Sequence, residues 1–121
     1  MSIERIGTIL PTDDLPVTVA LLTALFGVAP TFVDGDRWAQ FDVGPSRIMV
    51  AGSDREGDAA ALSVKVADLD AAVAALRGAG VALADPVTGP HERRAALEAT
   101  PGTLWSVVLY EPHDSAKISG R

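Results

Sequence analysis

Asp42 and Glu98 are the side chains whose type and placing could support acid–base chemistry in this chain. They hold equivalent positions in an internal repeat, Phe41-Asp42-Val43-Gly44-Pro45 against Leu97-Glu98-Ala99-Thr100-Pro101. Two carboxylates facing each other in a buried site repel, so one pKa rises and the pair can serve as acid and base. Tyr110 is the third candidate catalytic group. A neighbouring cation such as Arg47 or Arg94 would instead neutralise each carboxylate, and a place at a wet rim would leave both as ordinary anions. Metal chemistry needs several imidazole, thiolate or carboxylate donors converging on one point. The chain has no cysteine, and no His, Asp or Glu stands between Arg5 and Pro11, Ser46 and Gly52, Ala60 and Val66, or Thr103 and Tyr110. The two histidines are His91, in a loop beside Glu92, and His113, near the C-terminus. His91 with Glu92 reads either as a remnant acid–base pair or, as we expect, as a solvated loop.

The elements that must position these groups follow from the repeat. Asp14-Leu15-Pro16-Val17-Thr18-Val19-Ala20-Leu21-Leu22 matches Asp68-Leu69-Asp70-Ala71-Ala72-Val73-Ala74-Ala75-Leu76. Each copy follows a short apolar strand, opens on a capping aspartate and ends near Gly27 or Gly80. The first half predicts a strand over Ile3–Pro11 and a helix over Val17–Phe26, with Asp13 and Asp14 as caps. A strand around Thr31–Val33 and a hairpin of Arg37–Val43 with Ser46–Val50 follow, turning at Gly44-Pro45. The second half predicts a strand over Ala61–Val66, a helix over Leu69–Arg77 capped by Asp68, and a weak strand near Val81–Ala84. A loop over Asp85–Pro90 then leads to a hairpin of Arg94–Ala99 with Leu104–Tyr110. The order is βαβββ, twice. A period near fifty residues, present only twice, indicates one domain with two similar halves rather than a solenoid. The expected domain is 1–111, with modules 3–52 and 60–111, a polar linker over 53–59 and a flexible tail over 112–121.

Composition bounds the function classes. With 121 residues, 48% hydrophobic and 21% charged, the chain is an ordinary globular domain. Its net charge of −6 would repel a phosphate backbone, so nucleic acid is not an expected partner. No basic amphipathic helix and no apolar run of roughly 18 residues points to a membrane. The absence of cysteine and of a signal-like N-terminus makes a cytoplasmic address the expectation.

Gly7-Thr-Ile-Leu-Pro-Thr-Asp-Asp-Leu15, Leu62-Ser-Val-Lys-Val-Ala-Asp-Leu-Asp-Ala-Ala-Val73 and Pro101-Gly-Thr-Leu-Trp-Ser-Val-Val-Leu109 together resemble the glyoxalase / bleomycin-resistance / extradiol-dioxygenase (vicinal oxygen chelate) superfamily. The first two match its strand–Asp-Leu–helix signature and the third its Asp-Pro-Asp-Gly-Asn-x-x-Glu ending, and the match spans residues 3 to 111. The resemblance implies an α+β fold of two βαβββ modules, a curled mixed sheet around a cavity, often completed in a homodimer. In metal-dependent members that cavity holds a divalent ion on His and Glu. Carried over residue by residue, those ligand positions fall on Gly7, Ala61 and Ser106, so no metal and no other cofactor is expected.

Strand alternation then divides the faces. Ala39, Phe41 and Val43, with Ala95, Leu97 and Ala99, suit a face packed under helices, and Trp105 falls on that side as core. The opposite face would present Ile9, Trp38, Gln40, Asp42, Arg47 and Met49 in the first half. In the second it would present Ser63, Arg94, Ala96, Glu98, Ser106, Val108 and Tyr110. An aromatic and aliphatic lining with a few polar groups suits an organic ligand. The expected function is a metal-free small-molecule-binding protein for a partly aromatic compound. The alternatives are a lyase, isomerase or hydrolase using Asp42, Glu98 or Tyr110 without metal, and an interaction domain with a vestigial cavity.

Overall fold

The computed structural model describes residues 2–55, 57–98 and 104–113. The elements run β1 (Ile3–Pro11), α1 (Leu15–Phe26), β2 (Phe32–Asp34), β3 (Trp38–Val43), β4 (Ser46–Ala51), β5 (Ala61–Val66), α2 (Leu69–Gly78), β6 (Val87–Thr88), β7 (Glu92–Ala96) and β8 (Ser106–Pro112). This is α+β, with βαβββ occurring twice as the repeat predicts. Two compact units divide the chain, one of residues 6–62 and one of residues 1–5 with 63 onward.

In the 6–62 unit the strands lie in the order β2-β3-β4-β1. β1 runs parallel to β4, while β2–β3 and β3–β4 are antiparallel, so the sheet is mixed. The β3–β4 hairpin turns on Gly44-Pro45, with Val43 opposite Ser46 and Gly44 at φ +57°. Glycine first and proline second is the pattern of a II′ turn, whose twist matches a tight hairpin. α1 starts where the Asp14 carboxylate accepts the Val17 N–H at 3.2 Å and stops at Gly27, left-handed at φ 72°. It buries Leu15 and Leu22 on Ala39, Phe41 and Val50, with Val19, Phe26, Val43 and Ile48 around them. Phe26 meets Phe41 edge to face at 5.5 Å.

In the other unit the order is β5-β8-β7-β6. The Asp68 carboxylate caps α2 through the Ala71 N–H at 3.1 Å, and Glu111 of β8 accepts the Leu69 N–H at 2.9 Å. Two carboxylates thus satisfy orphan donors at the positive end of the helix. Leu69, Ala72 and Val73 form the buried face of α2, and Val64, Val66, Leu83, Ala95 and Leu109 are also buried. Arg93 of β7 forks onto Asp70 of α2 at 3.0 and 3.1 Å.

Several boundaries differ from the sequence reading. Val81–Ala84 is not a strand; Leu83 makes one isolated bridge to Leu97, and β6 forms instead inside the expected loop, at Val87–Thr88. β7 begins two residues earlier than expected and ends at Ala96. Trp105 is not core: it is 46% exposed in a bend before β8. Strand alternation does not reach a residue outside the ladder. β8 continues through Pro112, and the His113 ring bonds the Gly89 carbonyl at 2.8 Å. Ala99, the Pro101-Gly102 turn and positions 114–121 of the expected tail lie outside the described residues.

Gly52 closes the 6–62 unit, donating its N–H to the Arg37 carbonyl at 2.9 Å. A Cβ at this position would overlap the Asp36 carbonyl oxygen and press on Leu15 at 3.2 Å. Gly52→Ala is therefore expected to destabilise the protein by about 1–3 kcal/mol in urea unfolding, as overpacking does. Gly57, with nothing within 4 Å of its Cβ position, serves as the control. Equal stability of Gly52→Ala and Gly57→Ala would contradict the packing described.

Candidate functional site

The pleat of the β3–β4 hairpin sorts the candidates in the 6–62 unit. Ala39, Phe41 and Val50 are fully buried toward α1. Trp38, Gln40 and Asp42 of β3 and Arg47 and Met49 of β4 alternate onto the other face, as the residue pattern predicts. Ile9, Met49, Gln40 and Phe32 are successive cross-strand partners, so they form one row across β1, β4, β3 and β2. Phe32, 44% exposed, was not among the expected lining residues. Its signal was its place two residues after Pro30, in the short strand that pairs with Gln40.

Asp42 sits opposite Arg47 and is held by three donors. Arg47 Nε donates to Oδ1 at 2.9 Å, while Thr31 Oγ1 and Gln40 Nε2 donate to Oδ2 at 2.8 and 3.0 Å. The Arg47 hydrogen bond is the main reason the Asp42 pKa falls to about 2. Partial burial opposes this, and the Gln40 and Thr31 bonds add to it. Of the alternatives for Asp42, the structure has the one in which Arg47 neutralises it, and no raised pKa arises there. A carboxylate held this far below neutrality, with its oxygens already engaged, is a fixed anion that orients its neighbours. It is poorly matched to general-base work near pH 7.

The first metal-ligand position carried over by resemblance is Gly7, which is buried. A Cβ there would lie 3.1 Å from both Met49 Cε and the Arg47 carbonyl oxygen. The thioether of Met49, itself 6% exposed, therefore fills the space into which a residue-7 side chain would project. Among the described residues no three His, Cys, Asp or Glu side chains stand together where they could hold a metal ion. The donor set of the described residues does not fit the divalent centre that the resemblance implies.

In the other unit, Ala95 and Leu109 are buried partners in the β7–β8 ladder. Arg94 pairs with Tyr110 and Ala96 with Val108 on the alternate face, which Ser106 continues. Ser63 is 2% exposed on β5. Glu98 is exposed beyond the end of β7, where its N–H reaches the Ala82 carbonyl at 2.9 Å. Having left the ladder, it is not placed by strand alternation and is not the buried partner expected for Asp42. His91 lies exposed in a bend and Glu92 begins β7. Glu111, which the residue pattern did not single out, has the structural task of capping α2.

An open cleft of about 270 Å³ is lined by Asp13, Asp14, Leu15, Asp36, Gly52 and Ser53. It lies apart from the sheet face. Asp14 there caps α1, and Asp36 accepts a hydrogen bond from the Ser53 hydroxyl at 3.3 Å. We assign these carboxylates to the local architecture and place the candidate site on the sheet.

No family model matches the chain, and no curated protein matches it by sequence. Solved structures match it by fold. A Legionella pneumophila NAD-dependent benzaldehyde dehydrogenase structure superposes with a TM-score of 0.78 at 11% identity, over 90% of this chain and 100% of that one. Methylmalonyl-CoA epimerase from Streptomyces coelicolor, in complex with 2-nitronate-propionyl-CoA, gives 0.71 at 20% identity over 93% and 100%. A glyoxalase/bleomycin resistance protein/dioxygenase superfamily member from Vibrio splendidus gives 0.64 at 11% identity over 93% and 100%. The chain thus has the vicinal oxygen chelate fold, the architecture that the repeat and its motifs resemble.

The Asp42 cluster has a direct spectroscopic test. Its folded pKa lies below the ordinary value of 3.8, so the stability it contributes is present above that pH and is lost as pH falls through about 2. Carboxyl-detected NMR titration should give Asp42 a midpoint near 2, and Arg47→Met should move that midpoint upward. A midpoint at 3.8 in the unaltered protein would show that the three-donor cluster does not hold in solution.

Proposed function

We propose that this chain is a small-molecule-binding protein of the vicinal oxygen chelate fold that holds a partly aromatic organic compound without the divalent centre of its metal-dependent relatives. The observation that carries the reading is the Met49 thioether over Gly7, where the resemblance places a metal-binding histidine. Around it lie Trp38, Phe32 and Ile9 as flat or aliphatic contacts, and Gln40 beside the fixed Asp42–Arg47 pair as a polar end. Aromatic rings and a polarisable thioether suit an irregular organic surface. The arginine holds Asp42 through Nε, and its terminal nitrogens are the donors proposed for a ligand carbonyl or carboxylate.

An isomerase or lyase without metal is the second reading. What favours it is the epimerase structure with its acyl-CoA analogue among the fold neighbours. One architecture hosts many activities, so this likeness alone does not assign one. The depressed pKa of Asp42 weighs against that residue as the proton-transfer group.

A thermal-shift screen of small aromatic acids and amides, with and without EDTA, tests the proposal. A native-state ligand at 100 times its Kd should add about 2.7 kcal/mol of stability. Binding should survive EDTA, and Trp38→Ala should weaken it about 3–10-fold, the worth of one aromatic contact. A stoichiometric divalent ion retained by the purified protein, or binding abolished by EDTA, would sink the metal-free reading. Turnover of a bound acyl-thioester would favour the second.

A further inference from the structure

α1 and α2 are the same element in the two halves of the repeat, yet only one has an ordinary solvent face. α2 carries Asp70 in its first turn and Arg77 in its last, with alanines exposed between them. α1 carries no charged residue, and the uncharged stretch continues from Leu15 to Val33. The side of α1 turned away from its sheet exposes Val17 at 63%, Leu21 at 63% and Leu25 at 70%, with Val28 just beyond the cap at 39%. Ala20 and Ala24 are exposed between them. This is a second apolar stripe, with the spacing of a helix-packing seam.

We infer that this stripe is a homodimer interface in which α1 packs antiparallel against α1 of a second copy. This goes beyond the ligand reading and does not depend on it. The stripe is self-complementary about a two-fold axis centred between Leu22 and Thr23. Val17 then meets Val28, Ala20 meets Leu25, and Leu21 meets Ala24, so each leucine faces an alanine. Large against small lets two helices approach and interdigitate, and an isologous contact requires this kind of self-matching. Charge selects the same partner. Two copies at −6 repel each other over their acidic surfaces, and an uncharged face is where that cost is least. A membrane surface is the poorer fit, because α1 has neither the basic flank nor the aromatic anchors of an interfacial helix.

The stripe exposes on the order of 400 Å² per copy, a large patch for a monomer and about half of the roughly 800 Å² that each side of a standard interface buries. Val33, 47% exposed on the edge strand β2 and paired with Ala39 on the helix side of the sheet, extends the uncharged surface. A reversible dimer of micromolar affinity is the expected result.

Sedimentation velocity on the full chain from about 1 to about 200 µM, a range that brackets a micromolar Kd, should show concentration-dependent dimerisation. Leu21→Glu should weaken it at least 100-fold while leaving the circular dichroism spectrum unchanged, since Leu21 is exposed on α1, and should remove the concentration dependence of the thermal midpoint that dimerisation gives. Ala24→Glu is the second variant should that one fail to fold. Leu21→Lys should also disrupt the dimer, and adding Ala24→Glu to it should restore pairing, because the antiparallel register sets each lysine against the partner's glutamate. A monomer throughout the range would overturn the inference, as would a dimer indifferent to Leu21→Glu and Leu25→Glu. Binding of neutral or anionic lipid vesicles by a monomeric chain would overturn it in favour of a membrane.

Discussion

The two-residue turn at Gly44-Pro45 sets Val43 opposite Ser46, and that register decides which side of β3 and β4 meets α1. Side chains alternate with a period of two, so a slip of one residue would carry Trp38, Gln40 and Asp42 under the helix and expose Ala39 and Phe41. Two independent features hold the register. Proline cannot adopt positive φ, so the turn is confined to glycine first and proline second, with Gly44 at φ +57°. On the helix side, Phe41 and Val50 are fully buried against Leu15 and Leu22. The core and the candidate site are opposite faces of one hairpin.

The polar side of that hairpin is ordered by hydrogen bonds rather than by burial. Asp42 and Arg47 are 32% and 22% exposed in their side chains, too wet for the pair alone to contribute much stability. Thr31 and Gln40 change its character by engaging the second carboxylate oxygen, so the charge is fixed in place by three elements of the unit. A fixed anion–cation pair beside Met49 and Trp38 gives the face a polar end and an apolar end. The lowered Asp42 pKa keeps that carboxylate ionised across physiological pH.

The βαβββ order, the capping roles of Asp14 and Asp68 and the assignment of faces on β3 and β4 were legible because each rests on local chemistry. A carboxylate three residues before a free N–H caps, and a Gly-Pro pair between alternating runs turns. That position 7 carries no donor side chain was legible as residue identity, though what fills the space there was not. Met49 is remote in sequence and meets Gly7 only because β1 pairs with β4 in parallel. The misses lie where the ladder ends. Glu98 and Trp105 were assigned faces by alternation, but both stand outside the strands, where that two-residue period no longer applies. At Asp42 the neutralising Arg47 was legible in the sequence; the added Thr31 donor was not, because Thr31 reaches Asp42 only where the chain entering β2 pairs beside β3.

The divergence of the two repeat halves bears on function as much as their likeness does. Had α1 and α2 been shaped by packing under a sheet alone, both would show one buried stripe and one charged face, as α2 does. α1 buries Leu15 and Leu22 as that requirement demands, yet it also exposes Val17, Leu21 and Leu25, which fold stability does not ask for. Exposed leucines on a helix with no charged residue are an aggregation liability in an isolated monomer. Their alternation with Ala20 and Ala24 is the pattern that turns such a liability into a defined contact. The proposed contact would give the helix two partners, its own sheet on one side and a like helix on the other. The sheet face that carries Met49 and Asp42 is the opposite one, so association through α1 leaves it clear.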